Sequence, residues 1–261
     1  MTRHRIDIED GVARLTLAHP EKHNAFDAHL IASLTGALSD IESDPAVRIL
    51  VLAAEGSSFS AGAQLQWMKS AAAAGREENL ADARKLSALM RALDGFTKPT
   101  VAAVQGPAYG GGVGLVACCD IAIASTRAKF ALSEVKLGLI PSAIGPYVVA
   151  AIGPRQARRW FQTGEVFDAA TAQAIGLVHE VVEAGALETR VGEIVAALSQ
   201  AAPNACRDAK RLVRDVAWRP MDEALAEMTA VRIAEIRSGD EAKEGLDAFL
   251  SRRPAAWGGR P

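Results

Sequence analysis

Gln105-Gly106-Pro107-Ala108-Tyr109-Gly110-Gly111-Gly112-Val113-Gly114 lies between a short apolar run, Thr100 to Val104, and a helix-like one, Leu115 to Cys119. Three consecutive glycines where a strand should hand over to a helix leave main-chain N–H groups open to a negatively charged oxygen. Taken alone, such glycines mark a tight, close-packed turn more often than an anion cradle. Two further pieces shift the reading towards function. One is a second glycine-containing turn, Phe59-Ser60-Ala61-Gly62-Ala63-Gln64-Leu65; the other is an isolated carboxylate, Glu134, in Leu132-Ser133-Glu134. Together they can be read as one site.

Outward from these turns, apolar strand, glycine turn and helix occur twice in succession, over residues 48–70 and 100–119. That alternation implies sheets covered by helices, an α/β architecture. Upstream, Arg5 to Ile8 and Val12 to Ala18 flank Glu9-Asp10-Gly11, whose Asp-Gly pair signals a hairpin. After the polar loop His19 to Asn24, residues Leu30, Ile31, Leu34, Leu38 and Ile41 recur at helical spacing behind a cap at Asp27, and this helix should end before Pro45. Arg48 to Ala54 suits a strand buried on both faces. The alanine run Ala71 to Ala74 reads as a weakly specified loop, over a binding cleft or on the ordinary surface, and Glu77 to Leu93 as a helix stopped by Lys98-Pro99. Asp120 to Ala124 and Lys129 to Leu132 are further strands. Helix-like segments then dominate: Gly145 to Ile152, Gln156 to Phe161, Ala169 to Ile175, Ala186 to Ser199, Asn204 to Val216, Met221 to Ile236 and Asp240 to Leu250. The change to mostly helix near Pro203 divides the chain into a core, 1–202, and a helical region, 203–261.

A chain of 261 residues with 49% hydrophobic content can bury a substantial core. Lys+Arg 29 against Asp+Glu 31 gives no global basic field for nucleic acid or an anionic membrane. The first residues lack a signal-peptide core, and no apolar run approaches the roughly 18 to 20 residues that span a bilayer, so a soluble, cytoplasmic protein is expected. Cys118 and Cys119 sit in an apolar segment without disulfide or zinc spacing and read as small core residues.

If the Ala63 and Gly111 amides point at one spot, they can hold a carbonyl oxygen that becomes an enolate; removing one such donor costs about 2.7 to 4 kcal/mol in a comparable acyl-transfer site. A carboxylate near the α and β carbons of the same acyl group could then move a proton, an effect of roughly 10²- to 10⁴-fold. Glu134 is the candidate. Its apolar neighbours Phe130, Leu132, Val135, Leu137 and Leu139 predict partial burial, which favours the neutral acid.

The set Phe59-Ser-Ala-Gly-Ala63-x-Leu65, Ala108-Tyr-Gly-Gly-Gly112, Cys119-Asp-Ile-Ala-Ile-Ala124 and Leu132-Ser-Glu-Val-Lys-Leu-Gly-Leu-Ile-Pro141 resembles the crotonase, or enoyl-CoA hydratase/isomerase, superfamily. The resemblance extends from Asn24-Ala25-Phe26 to the tail Gly245-Leu-Asp-Ala-Phe249. It implies a spiral of ββα repeats with a C-terminal helical trimerisation region, assembly as a homotrimer or hexamer, and an acyl-CoA thioester as substrate, with no separate cofactor because coenzyme A is part of the substrate. It also implies roles: Ala63 and Gly111 N–H as oxyanion hole, Glu134 as acid/base, and the turn Ala61, Ala63, Gln64 and Leu65 as a grip on the CoA moiety. Lys22 is a candidate for contacts near the CoA phosphates, with a solvated loop lysine as the equally weighted alternative.

Two departures stand out. Well-known hydratases carry a second glutamate where this chain has Gly114, and Gln64 replaces the more usual Asp. Hydration with Glu134 alone, double-bond isomerisation with Glu134 as sole proton shuttle, and loss of activity all stay open on that ground. Tyr109 to Leu115 and Leu139 to Tyr147 resemble the branch that hydrates 3-methyl-branched, carboxylated enoyl-CoAs such as 3-methylglutaconyl-CoA or isohexenylglutaconyl-CoA, in leucine or acyclic terpene breakdown. Members of that branch share the glycine at position 114, which favours hydration. Trp67, Met68, Tyr109, Ile144 and Tyr147 are candidates to line the acyl pocket or simply core.

Rival readings are weaker. Gly112-Val-Gly114-x-x-Ala117 with Glu134 twenty residues after Gly114 loosely satisfies a dinucleotide fingerprint, but the glycines stand too far from the strand end. His19 and His23 flank Pro20 and lack a third ligand, so no metal pair is expected, and His179 reads as structural or surface. Arg207, Lys210, Arg211 and Arg214 suggest RNA contact less than one solvated helix face, which leaves a non-catalytic CoA- or RNA-binding member as the rival class.

Overall fold

Asp10 and Gly11 take positive φ, 47° and 79°, and between them close a hairpin of β1 (His4–Glu9) and β2 (Val12–Leu17) in the computed structural model, which describes residues 3–258. Such turns match the twist of antiparallel strands. α1 (Ala28–Ser43) follows, with the Asp27 carboxylate accepting from Leu30 N at 2.9 Å and Leu30, Ile31, Leu34, Leu38 and Ile41 on its buried stripe. It ends at the Asp44 C-cap, before Pro45 as predicted.

β3 (Ile49–Ala54) is buried along nearly its whole length, as its run of apolar residues requires, and pairs parallel with β2. The chain then forms α2 (Leu65–Ala73) and α3 (Arg76–Asp94), joined at Gly75. The alanine run expected as a loop is therefore mostly helix. Alanine carries the highest helix propensity, and no Gly or Pro interrupts the segment before Gly75.

β4 (Thr100–Val104), β5 (Ala108–Tyr109), α4 (Gly111–Cys118), β6 (Ile121–Ser125) and β7 (Lys129–Ala131) come next. α5 (Gly145–Thr163) runs through a break at Gly153, φ 73°, just before Pro154, which accounts for the two separate helices expected there. β8 (Val166–Asp168), α6 (Ala169–Ala174), β9 (Glu180–Val182) and α7 (Leu187–Gln200) follow. One sheet has the order β1-β2-β3-β4-β6-β9, parallel after the first hairpin, and the other the order β5-β7-β8. Two repeats, β4-β5-α4 and β6-β7-α5, thus send a long strand to the first sheet and a short one to the second before the helix, and between β3 and α2 isolated bridges at Ser60 and Ala63 stand in for the short strand. The short strands β5, β8 and β9 were not anticipated, being two or three residues long and too brief for a visible alternation.

Two motif residues brace this arrangement. Asp120 Oδ2 accepts from Thr100 N and Oγ1 at 2.8 and 2.9 Å, and Asp120 N donates to Thr100 Oγ1, so the starts of β4 and β6 are locked together. His179 Nδ1 accepts from Ala122 N at 3.1 Å while the main-chain N–H of His179 donates to Ala122 O at 2.8 Å, a structural histidine.

The chain forms two compact units: one up to Phe96 with Thr100–Gly192, the other Thr97–Pro99 with Glu193 onward. In the second, α8 (Pro203–Val216), α9 (Glu223–Ser238) and α10 (Asp240–Leu250) carry their own ties. Glu241 accepts from Asn204 N and Ala205 N at the start of α8, and Asp222 caps α9 through Leu225 N at 2.9 Å. Within the basic cluster, Lys210 Nζ donates to Lys98 O at 3.1 Å and Arg211 meets Asp215 at 3.5 Å, so part of that face holds the unit together.

Candidate active site

Main-chain bridges stitch the two glycine turns together. Ser60 bridges Ala108 in parallel: Tyr109 N donates to Ser60 O at 2.8 Å, and Phe59 N and Ser60 N donate to Pro107 O. Phe26 bridges Ala63 likewise, with Phe26 N donating to Gly62 O and Gln64 N to Phe26 O, 2.6 and 2.8 Å. Those bonds use the residues flanking Ala63, so the Ala63 N–H is turned away from Phe26. Gly62 takes φ 79° so close to the other turn that a Cβ there would lie 2.8 Å from Tyr109 O. Only glycine fits that contact.

α4 starts at Gly111, not at Leu115 as expected, so the central glycines form the first turn of the helix rather than a loop before it. Its first intrahelical bond is Gly114 N to Gly110 O, 3.2 Å, which leaves the Gly111 N–H among the donors without an intrahelical acceptor, at the positive end of the helix dipole. Gly110, at φ 50°, ties this start to β7 through its N–H and Ala131 O, 2.9 Å.

Glu134 closes the third side. A Cβ on Gly110 would lie 3.1 Å from Glu134 Oε1 and 3.9 Å from Gly62 Cα, so all three segments singled out in the sequence meet around Gly110. Glu134 stands in a 3₁₀ turn, Ser133–Leu137, ended by Gly138 at φ 73°, with Leu139 N on Glu134 O at 3.0 Å. Its Oε2 is buried and has no hydrogen-bond partner among the described residues. Burial pushes the carboxyl above its ordinary 4.5, against a smaller pull from its own main chain. Leu137 and Leu139, expected to help bury it, are exposed. A buried carboxylate oxygen without a partner, beside unused main-chain donors, is suited to moving a proton.

The remaining candidates surround the first turn. Ala61 is held by His23 O through its N–H at 2.8 Å, so the exposed 3₁₀ turn Pro20–Lys22 carrying Lys22 runs directly beside it. Gln64 sends Nε2 back to Ala25 O at 3.4 Å, a main-chain tie, and Leu65 opens α2 with 80% of its surface exposed. Of the pocket candidates, Ile144 is buried against Gly114, Trp67 ties α2 to α3 through Asp82 at 3.4 Å, and Tyr147 lines a cavity of about 300 Å³ with Val116, Cys119, Asp120 and His179.

Asn24 was missed as a separate functional candidate. Fully buried at φ 52°, it accepts from His19 N through Oδ1 and donates through Nδ2 to Glu55 O and Ser58 O, each at 2.9 Å, while its own carbonyl accepts from Ser60 Oγ. It fixes the approach to the Ala63 turn. An asparagine closing a polar loop, just where αL backbone is tolerated, was the available signal.

A sequence profile for enoyl-CoA hydratase/isomerase matches residues 7–260. The chain belongs to the enoyl-CoA hydratase/isomerase family. A crotonase-type protein of Legionella pneumophila superposes with a TM-score of 0.95 at 46% identity, covering 98% of this chain and 99% of its own. An enoyl-CoA hydratase from Shewanella pealeana gives 0.95 at 42% identity, covering 98% and 96%. A crotonyl-CoA hydratase of Syntrophomonas wolfei is 32% identical over 252 residues, 96% of this chain and 95% of the relative. The crotonase fold expected from the motifs is thus established, as is family membership.

Family membership and geometry together remove the dinucleotide reading: the next strand, β6, ends at Ser125, and Glu134 stands in a 3₁₀ turn against Gly110 rather than at the end of that strand. His19 Nε2 instead meets Glu21 at 3.1 Å, and His23 Nδ1 meets Ser58 Oγ at 3.0 Å. Among the described residues no helix is long and apolar enough to cross a membrane.

Proposed function

We propose that this family member is an enoyl-CoA hydratase adding water across the 2,3 double bond of an acyl-CoA thioester, with a 3-methyl-branched, carboxylated enoyl-CoA such as 3-methylglutaconyl-CoA as substrate. The observation that carries it is the Glu134 carboxylate lying against Gly110, where the two glycine turns touch. The thioester oxygen accepts from Ala63 N–H and Gly111 N–H. Ionised Glu134 takes a proton from water as the oxygen bonds to C3, the double-bond electrons pass to the enolate, and Glu134 returns the proton to C2. One carboxylate then serves as base and acid in turn, for which a raised pKa suits it. The Ala61, Ala63, Gln64 and Leu65 turn and Lys22 hold the CoA portion, with exposed Leu65 offering an apolar contact.

The branched substrate follows from the resemblance of Tyr109 to Leu115 and Leu139 to Tyr147 to that branch, including the glycine at 114. We also propose a homotrimer or hexamer: Trp218, Met221 and Phe249 in the second unit are 91%, 100% and 80% exposed, an apolar surface that association would cover.

The test is turnover of crotonyl-CoA, 3-methylglutaconyl-CoA and a 3-enoyl-CoA by the parent and by Glu134→Gln. The branched substrate is hydrated fastest, and the variant loses about 10²- to 10⁴-fold in kcat with little change in binding. Product from the 3-enoyl substrate alone makes the protein an isomerase, the alternative that Glu134 as sole carboxylate leaves open.

A further inference from the structure

We propose that Ser60 is a positioning residue for the thioester oxygen: its buried hydroxyl holds the turn that aims the Ala63 N–H, while its main chain holds the turn that carries the Gly111 N–H. This deepens the hydratase reading above and rests on its two main-chain donors. Ser60 is fully buried. A serine hydroxyl can donate one hydrogen bond and accept others, and this one does both. Its Oγ donates to Asn24 O at 2.9 Å and accepts from Gly62 N at 3.2 Å.

Along the first turn, Ala61 N donates to His23 O, Gly62 N to Ser60 Oγ and Gln64 N to Phe26 O. From Ala61 to Gln64 only the N–H of half-buried Ala63 has no acceptor among the described residues. Gly62, at φ 79°, is the freest joint in this stretch, and both peptides beside it are pinned: the one before by Ser60 Oγ on Gly62 N, the one after by Phe26 N on Gly62 O. Deleting the hydroxyl unpins the first and lets the Ala63 N–H swing. Ser60 also reaches the other donor. Its N donates to Pro107 O and its O accepts from Tyr109 N, at 3.1 and 2.8 Å, and a Cβ on Gly112 would lie 2.9 Å from Ser60 O and Cβ alike. One side chain is thus wedged between Gly62 and Gly112, the neighbours of the two donors. Such donors stabilise an enolate oxygen only while their aim is fixed in advance.

The experiment measures acyl-CoA hydration and the infrared stretch of a ¹³C-labelled thioester carbonyl in a bound, unreactive acyl-CoA, for the parent, Ser60→Ala and Ser60→Cys, at a temperature where circular dichroism shows each protein folded. Ser60→Ala lowers kcat by about 10- to 10²-fold with little change in KM, and its carbonyl band moves part-way back from the parent's position towards the aqueous one. Ser60→Cys, whose thiol is a weaker donor and acceptor, lies between parent and Ser60→Ala on both readouts. A Ser60→Ala protein that unfolds at lower temperature but keeps the parent's kcat and band overturns the proposal, because the hydroxyl then serves stability alone; a loss confined to KM overturns it too. Should Ser60→Ala fail to fold, Ser60→Cys decides by the same two readouts: a lower kcat with a displaced band supports the role, and parent values overturn it. A parent that shifts the bound carbonyl band yet hydrates no acyl-CoA ends the hydratase reading alone, and the band of the variants still decides the role of Ser60.

Discussion

Glu134 carries a conflict between stability and chemistry. Its raised pKa means that folding disfavours the charged form, so the folded protein loses stability relative to the unfolded chain as pH rises above 4.5. Glu134→Gln removes that penalty. Its thermal midpoint should exceed the parent's at pH 7 and converge with it below about pH 4, where both states hold the proton; a variant less stable than the parent at pH 7 contradicts the burial account. Asn24→Ala acts oppositely. Losing three buried side-chain hydrogen bonds should cost about 2 to 4 kcal/mol by denaturant unfolding and lower kcat as the Ala63 turn loosens. Legibility at this scale was uneven. Glu134 was readable because an isolated carboxylate in an apolar run calls for a reason. Asn24 was not, because its bonds run to main-chain atoms over thirty residues away in sequence, Glu55 and Ser58.

At the scale of elements, amphipathic spacing and caps announced the helices: Asp27 and the stripe from Leu30 to Ile41 gave α1 both its start and its buried face. α4 was harder to bound. Gly111 to Gly114 form helix although glycine disfavours it by roughly 1 kcal/mol per residue, because Ser60, Ile144 and Phe26 occupy the places side chains would need. Close packing overrides propensity there, and no local signal shows which distant side chains do the crowding. The capped helices permit a simpler test. Asp222→Ala removes the bond to Leu225 N and should destabilise α9 by about 1 kcal/mol, read as a lower thermal midpoint, whereas Asp222→Asn should retain most of it.

For the molecule as a whole, the order of strand, turn and helix was legible from repeated apolar runs, and the grouping of the two glycine turns with Glu134 from their motifs, but not the contacts that join residues 62, 110 and 134. That convergence depends on two sheets whose shorter strands run two or three residues. If the exposed apolar surface of the second unit is an assembly face, light scattering should give a mass of three or six chains, and Phe249→Asp should shift it to smaller species with secondary structure intact; a monomeric parent contradicts this. The proposed oxyanion donors are main-chain groups that substitution cannot remove, so the most direct measurement is the infrared stretch of a ¹³C-labelled thioester carbonyl in an unreactive acyl-CoA bound to the protein. Two donors on that oxygen predict a band shifted to lower frequency than in water, in the parent and in Glu134→Gln alike. A band at its aqueous position in bound ligand would contradict the site.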